Sequence, residues 1–72
     1  MNTLLSKGDL VSFKPRKLAL YRQTYGVTAN DVFTVAHVEQ RDLQRVLYLE
    51  AKGREEWIPA YASALLAAKG NE

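Results

Sequence analysis

The chain has no cysteine among its 72 residues, so neither a disulfide staple nor a thiolate metal site is available to it. It has one histidine, His37, and a metal centre ordinarily needs three or four ligands. It has two prolines and four glycines, and no run of apolar residues near the roughly 20 needed to cross a bilayer. The opening Met1–Gly8 lacks a basic start followed by an apolar core, so it does not read as a secretory leader. There is no Gly-rich phosphate loop. Glu55 and Glu56 are adjacent, and on a strand they point to opposite faces, so they cannot work as a catalytic pair. These absences point away from an enzyme, a metalloprotein and a membrane span. The expectation is a soluble, cytoplasmic, single-domain, non-enzymatic protein without cofactor or metal.

What is present is strand-forming sequence. The stretch from Asp31 to Ala51 holds two β-branched and aromatic runs around a polar break at residues 40–44, the pattern of an antiparallel hairpin. Neither run contains Pro or Gly, so both suit central ladder positions. Period-two alternation places Phe33, Val35, Leu47 and Leu49 on the inner face, with Val38 following after an irregularity; Val46, Tyr48 and Glu50 fall on the wetter face. Before the hairpin, Lys7-Gly8-Asp9 predicts a turn and Leu10–Lys14 a strand with Val11 and Phe13 inward, ended by Pro15. After it, Lys52-Gly53 predicts a turn and Arg54–Ile58 a fourth strand stopped by Pro59.

Two segments admit alternatives. Residues 16–30 fit a short helix, with Leu18, Tyr21, Arg22 and Tyr25 at helical spacing, Pro15 at the start and Gly26 after the end; they also fit a long open loop. Residues 60–69 have helical propensity, but a turn at Ala60–Ser63 and a last strand at Ala64–Leu66 would close a small sheet whose edges are otherwise exposed. The expected architecture is mainly β, a five-stranded SH3-like barrel over residues 7–66 with a long first loop, between flexible termini at 1–6 and 67–72.

Charge is unevenly distributed. Residues 1–29 carry five basic side chains and one acidic, whereas residues 30–72 carry five basic and seven acidic. A basic segment interleaved with tyrosine suits an acidic protein surface or an RNA, since cations steer polyanions and tyrosine can anchor a protein contact or stack a base. The candidate partner-binding residues are Lys14, Arg16, Lys17, Tyr21, Arg22 and Tyr25, joined by Leu4 and Leu5 as apolar residues of an N-terminus that orders on a partner.

The order of these pieces resembles the SH3-like barrel. Lys7-Gly8-Asp9-Leu10-Val11 is similar to the opening of bacterial SH3-like and KOW-type domains. Trp57-Ile58-Pro59-Ala60-Tyr61, followed by Ala64-Leu65, is similar to the Ile-Pro-x-x-Tyr ending of eukaryotic SH3 domains. The likeness departs where peptide-reading SH3 domains have an acidic first loop, since this loop is basic, and the Pro-to-Tyr spacing is one residue short. In size, charge and architecture the chain also resembles the small regulators of Xanthomonas phages that bind bacterial RNA polymerase. That resemblance implies a monomeric, phage-encoded protein that binds the host polymerase and inhibits initiation or promotes antitermination. The KOW likeness implies RNA binding instead, and a third reading is a structural or assembly protein of SH3-like fold.

Overall fold

The computed structural model describes residues 5–68. The chain forms β1 (Leu10–Phe13), α1 (Pro15–Tyr25), β2 (Phe33–Arg41), β3 (Gln44–Glu50), β4 (Ile58–Tyr61), a 3₁₀ turn (Ala62–Ala64) and β5 (Leu65–Ala67). The strands make one antiparallel sheet in the order β4-β3-β2-β1-β5. The sheet is open. β4 and β5 are its two edges, and the 3₁₀ turn joins them without pairing them, so the expected closure into a barrel does not occur through strand hydrogen bonds. Instead the turn is tied to the end of β1, where the Lys14 amide donates to the Ala64 carbonyl at 2.8 Å.

The β2–β3 hairpin dominates, as its residues predict. Its register runs from Thr34↔Glu50 to Arg41↔Gln44, so the connection is tighter than expected: only Asp42 and Leu43 lie outside the ladder. Asp42 takes a positive φ of 49°, which a short polar side chain tolerates. The register shifts between Val35 and His37, and this irregularity returns Val38 to the core side.

In α1, Pro15 occupies the first turn, where its missing N–H costs nothing. Gly26 closes the other end at φ 72°, its amide bonded to the Arg22 carbonyl. The helical alternative for residues 16–30 is therefore the one adopted over 15–25. The helix has no fully buried residue and rests on the core through half-buried Leu18, Tyr21 and Tyr25. Arg54 holds its C-terminal end by donating from Nη2 to the Tyr25 carbonyl at 2.7 Å, a cation on carbonyls that have no partner within the helix.

Two sequence expectations need correction. Residues 54–57 are loop with a bend at Glu55 and Glu56, not strand; β4 begins at Ile58 and runs through Pro59. Proline is tolerated there because β4 is an edge strand, paired only with β3, and its missing donor interrupts no second ladder. With that change Glu55 and Glu56 lie in a loop and not on a strand. The closing turn and strand are also each shifted toward the C-terminus, to 62–64 and 65–67, in place of a longer terminal helix.

The core is Val11, Phe13, Val27, Phe33, Val35, Leu47, Leu49, Ile58, Ala60, Ala64 and Leu65. Every inward residue expected from β1, β2 and β3 is in or against it. Val46, placed by alternation on the wet face, is nonetheless buried; it pairs with Tyr61 across the ladder and lines the hollow that faces α1.

Candidate functional site

α1 packs on the core beside the β4 edge, and a groove of about 490 Å³ runs between the helix and the surface of β3 and β4. Its helix wall is Leu20, Tyr21, Thr24 and Tyr25, two pairs at i, i+4 spacing on one face. Its sheet wall is Val46, Tyr48, Pro59, Ala60 and Tyr61, with Arg41 at the rim. The period of two along β4 turns Ile58 and Ala60 into the core and leaves Pro59 and Tyr61 on the surface. Tyr21 joins the two walls: its ring lies 4.6 Å from Phe13 and 6.4 Å from Tyr25 between centroids, and its hydroxyl accepts the Tyr61 amide at 3.4 Å.

Beyond Tyr48 the aromatic surface continues. His37 stacks on Trp57 at 6.1 Å with an 18° interplanar angle, and Tyr48 lies 5.5 Å from His37 and 6.1 Å from Trp57. On the other side Val46 and Tyr61 also border a hollow with Leu43 at the hairpin tip. Leu20 is 66% exposed, Leu43 97%, Tyr61 50% and Trp57 49%, so large apolar side chains face solvent along this whole surface. Contiguous exposed apolar surface on a small protein marks an interaction site, and Tyr, Trp and Arg are preferred anchor types.

One polar network fixes the platform. Arg41 donates to Glu39 Oε1 from Nε at 3.0 Å and from Nη2 at 2.8 Å, and the Tyr48 hydroxyl donates to the same oxygen at 3.0 Å. Hydrogen bonds from Arg41 and then Tyr48 hold the Glu39 carboxyl below its usual range, and the Glu39 partner raises Arg41. Because the folded value is depressed, the network contributes fully above the ordinary Glu range and is lost as pH falls through the folded value. In an NMR titration, the Glu39 carboxyl carbon is expected to show a midpoint below that of an ordinary Glu side chain, moving back toward it in Arg41→Ala. An unshifted wild-type midpoint would remove the network as a fixed feature in solution.

The sequence-predicted residues separate on the structure. Tyr21 and Tyr25 line the groove. Arg16 and Lys17 stand exposed on the first turn of α1, four residues before Leu20 and Tyr21 and therefore heading the same two helical rows. Arg22 borders a different hollow with Pro15, Leu18, Ala19, Leu20 and Gln23. Lys14 is the N-cap, its backbone committed to Ala64. Leu5 packs against the core, and its carbonyl accepts Arg45 Nη2 at 2.7 Å. Leu4 lies outside the described residues. The sequence reading did not assign Leu20, Leu43, Val46 or Pro59 to the site. The available signal was the alternation of Trp57, Pro59 and Tyr61, hidden by the assumption that proline ends the strand.

Among the described residues, no group of three or more His, Cys, Asp or Glu could hold a metal ion, and no helix is long and apolar enough to cross a membrane. Comparison with family models, curated proteins and solved structures finds no match for the chain.

Proposed function

We propose that this protein is a non-enzymatic protein-binding module and that the α1–β3–β4 groove is its contact surface. The observation that carries this reading is the exposure of Leu20, Leu43, Trp57 and Tyr61 along one continuous aromatic surface. The order of elements, with a short helical turn before the last strand, supports an SH3-like barrel variant in which that turn takes the place of edge pairing. On the likeness in size, charge and architecture, the first partner to test is bacterial RNA polymerase, with the protein acting as a phage-encoded regulator of initiation or termination in the host cytoplasm.

The test is calorimetric titration of purified polymerase with the 72-residue protein and with Leu20→Ser/Tyr61→Ser. Wild-type binding that weakens at least about tenfold in the double variant supports the reading, since truncated interface anchors commonly cost more than 1 kcal/mol each. Binding of equal strength by both proteins moves the contact off the groove, and no binding by either removes polymerase as the partner. The RNA reading is favoured by one feature, the absence of any acidic residue in the first turn of α1 beside Arg16 and Lys17. It requires RNA affinity that falls steeply with salt.

A further inference from the structure

The groove has ends of opposite charge. At one end, Arg16 and Lys17 head the two helical rows that continue as Leu20–Thr24 and Tyr21–Tyr25 into the groove wall. Both are exposed, and neither makes a hydrogen bond or ion pair to a described carboxylate. At the other end, Tyr25 borders a hollow with Glu55, Glu56 and Trp57. The one cation in that hollow, Arg54, is engaged with the Tyr25 carbonyl. The middle of the groove is apolar and aromatic, and its rim cation, Arg41, is paired with Glu39.

From this charge pattern we propose that the occupant of the groove is a peptide segment of a partner protein in which apolar anchors adjoin acidic residues, the acidic part lying on Arg16 and Lys17. The proposal rests on the groove being the contact surface, and it adds the chemistry of what binds there and the end of the groove that each part takes. The apolar anchors fill the space between Tyr21, Tyr25, Tyr48 and Tyr61, where water is displaced from ring faces. The carboxylates meet two cations that pair with no described carboxylate, which places the acidic part at that end of the groove and speeds encounter. A basic segment would meet like charge at the Arg16–Lys17 end. A polyanion without apolar anchors would leave the groove empty and face Glu55 and Glu56.

The experiment selects binders from a displayed library of random 16-residue peptides on the 72-residue chain and maps the winners by NMR shift changes. The selection is repeated on Arg16→Glu/Lys17→Glu and on the neutral Arg16→Gln/Lys17→Gln. Both positions are exposed, and Glu is favourable in a first helical turn, so the variants are expected to fold. The expected result is enrichment of peptides combining Leu, Phe or Trp with two or more Asp or Glu, with shifts at Tyr21, Tyr25 and Tyr61. Affinity for those peptides falls about tenfold in the Glu variant and less in the Gln variant, and selection on the Glu variant switches to Lys- and Arg-bearing peptides. Groove-binding peptides with no acidic enrichment, or with affinity indifferent to the reversal, overturn this proposal and leave the groove as the contact surface. Selection of no peptide that perturbs the groove residues overturns both.

Discussion

Leu47→Ala is expected to cost about 2–5 kcal/mol of folding stability, the range for emptying a leucine site in a packed core. Leu47 is fully buried at the centre of β3, with strands on both sides and Ala60 and Val38 as its ladder partners. A chain of this length has about 4–11 kcal/mol in total, because a small domain buries a limited share of its surface. The variant should therefore lose between about a fifth of its stability and all of it. Urea unfolding of Leu47→Ala beside Leu10→Ala gives the check. Leu10 is on the same sheet but 43% exposed, and its truncation should move the midpoint little. Equal midpoints for the two variants would mean that β3 is not the centre of the core in solution.

The second large effect is local. Tyr21→Ala is expected to release α1 while the sheet stays folded. An isolated helix of this length is marginal, so α1 depends on what its side chains reach. It buries no residue fully, and Tyr21 is its main tie, through Phe13 on β1 and the Tyr61 amide on β4. Truncating this half-buried ring should cost about 2 kcal/mol, below the 3–5 kcal/mol range for a fully buried aromatic. Tyr21→Phe should cost no more than about 1 kcal/mol, since it removes one long hydrogen bond and keeps the ring. Native-state hydrogen exchange is the measurement that separates the outcomes. Amides of residues 18–25 should lose protection in Tyr21→Ala while those of β2 and β3 keep theirs. A uniform loss would show that helix and sheet unfold as one unit. The groove loses one wall in this variant, so any groove-bound peptide should dissociate as well.

The contrast between these variants follows how each element is held. β2 and β3 are paired on both edges and carry inward residues at alternate positions, interrupted by the register shift after Val35 and by buried Val46. α1 is held by one face of an exposed helix and by a single arginine at its end. The proposed contact groove lies between the more firmly and the more weakly held parts. Ordering of α1 on a partner is therefore available to the groove without disturbing the core.

The hairpin, the turns at Asp9 and Gly53, and the inner residues of β1, β2 and β3 were determined by the sequence alone. Alternation, turn chemistry and the lack of internal Pro or Gly are local signals, and they survive because each strand buries one face. The tyrosines at positions 21 and 25 were likewise legible as a pair, from helical spacing between Pro15 and Gly26. Tertiary structure alone decided the rest. Whether residues 16–30 held a helix depended on Phe13 and β4 being beside it, since local propensity was balanced. Pro59 stays within a strand only because β4 is an edge, and edge position is a property of the whole sheet. Val46 is buried although alternation puts it on the outer face, where Tyr61 of the neighbouring strand is its ladder partner. The groove itself is made by residues about 20 to 40 positions apart, and no local pattern of charge or hydropathy encodes a surface that exists only after the sheet and helix have met.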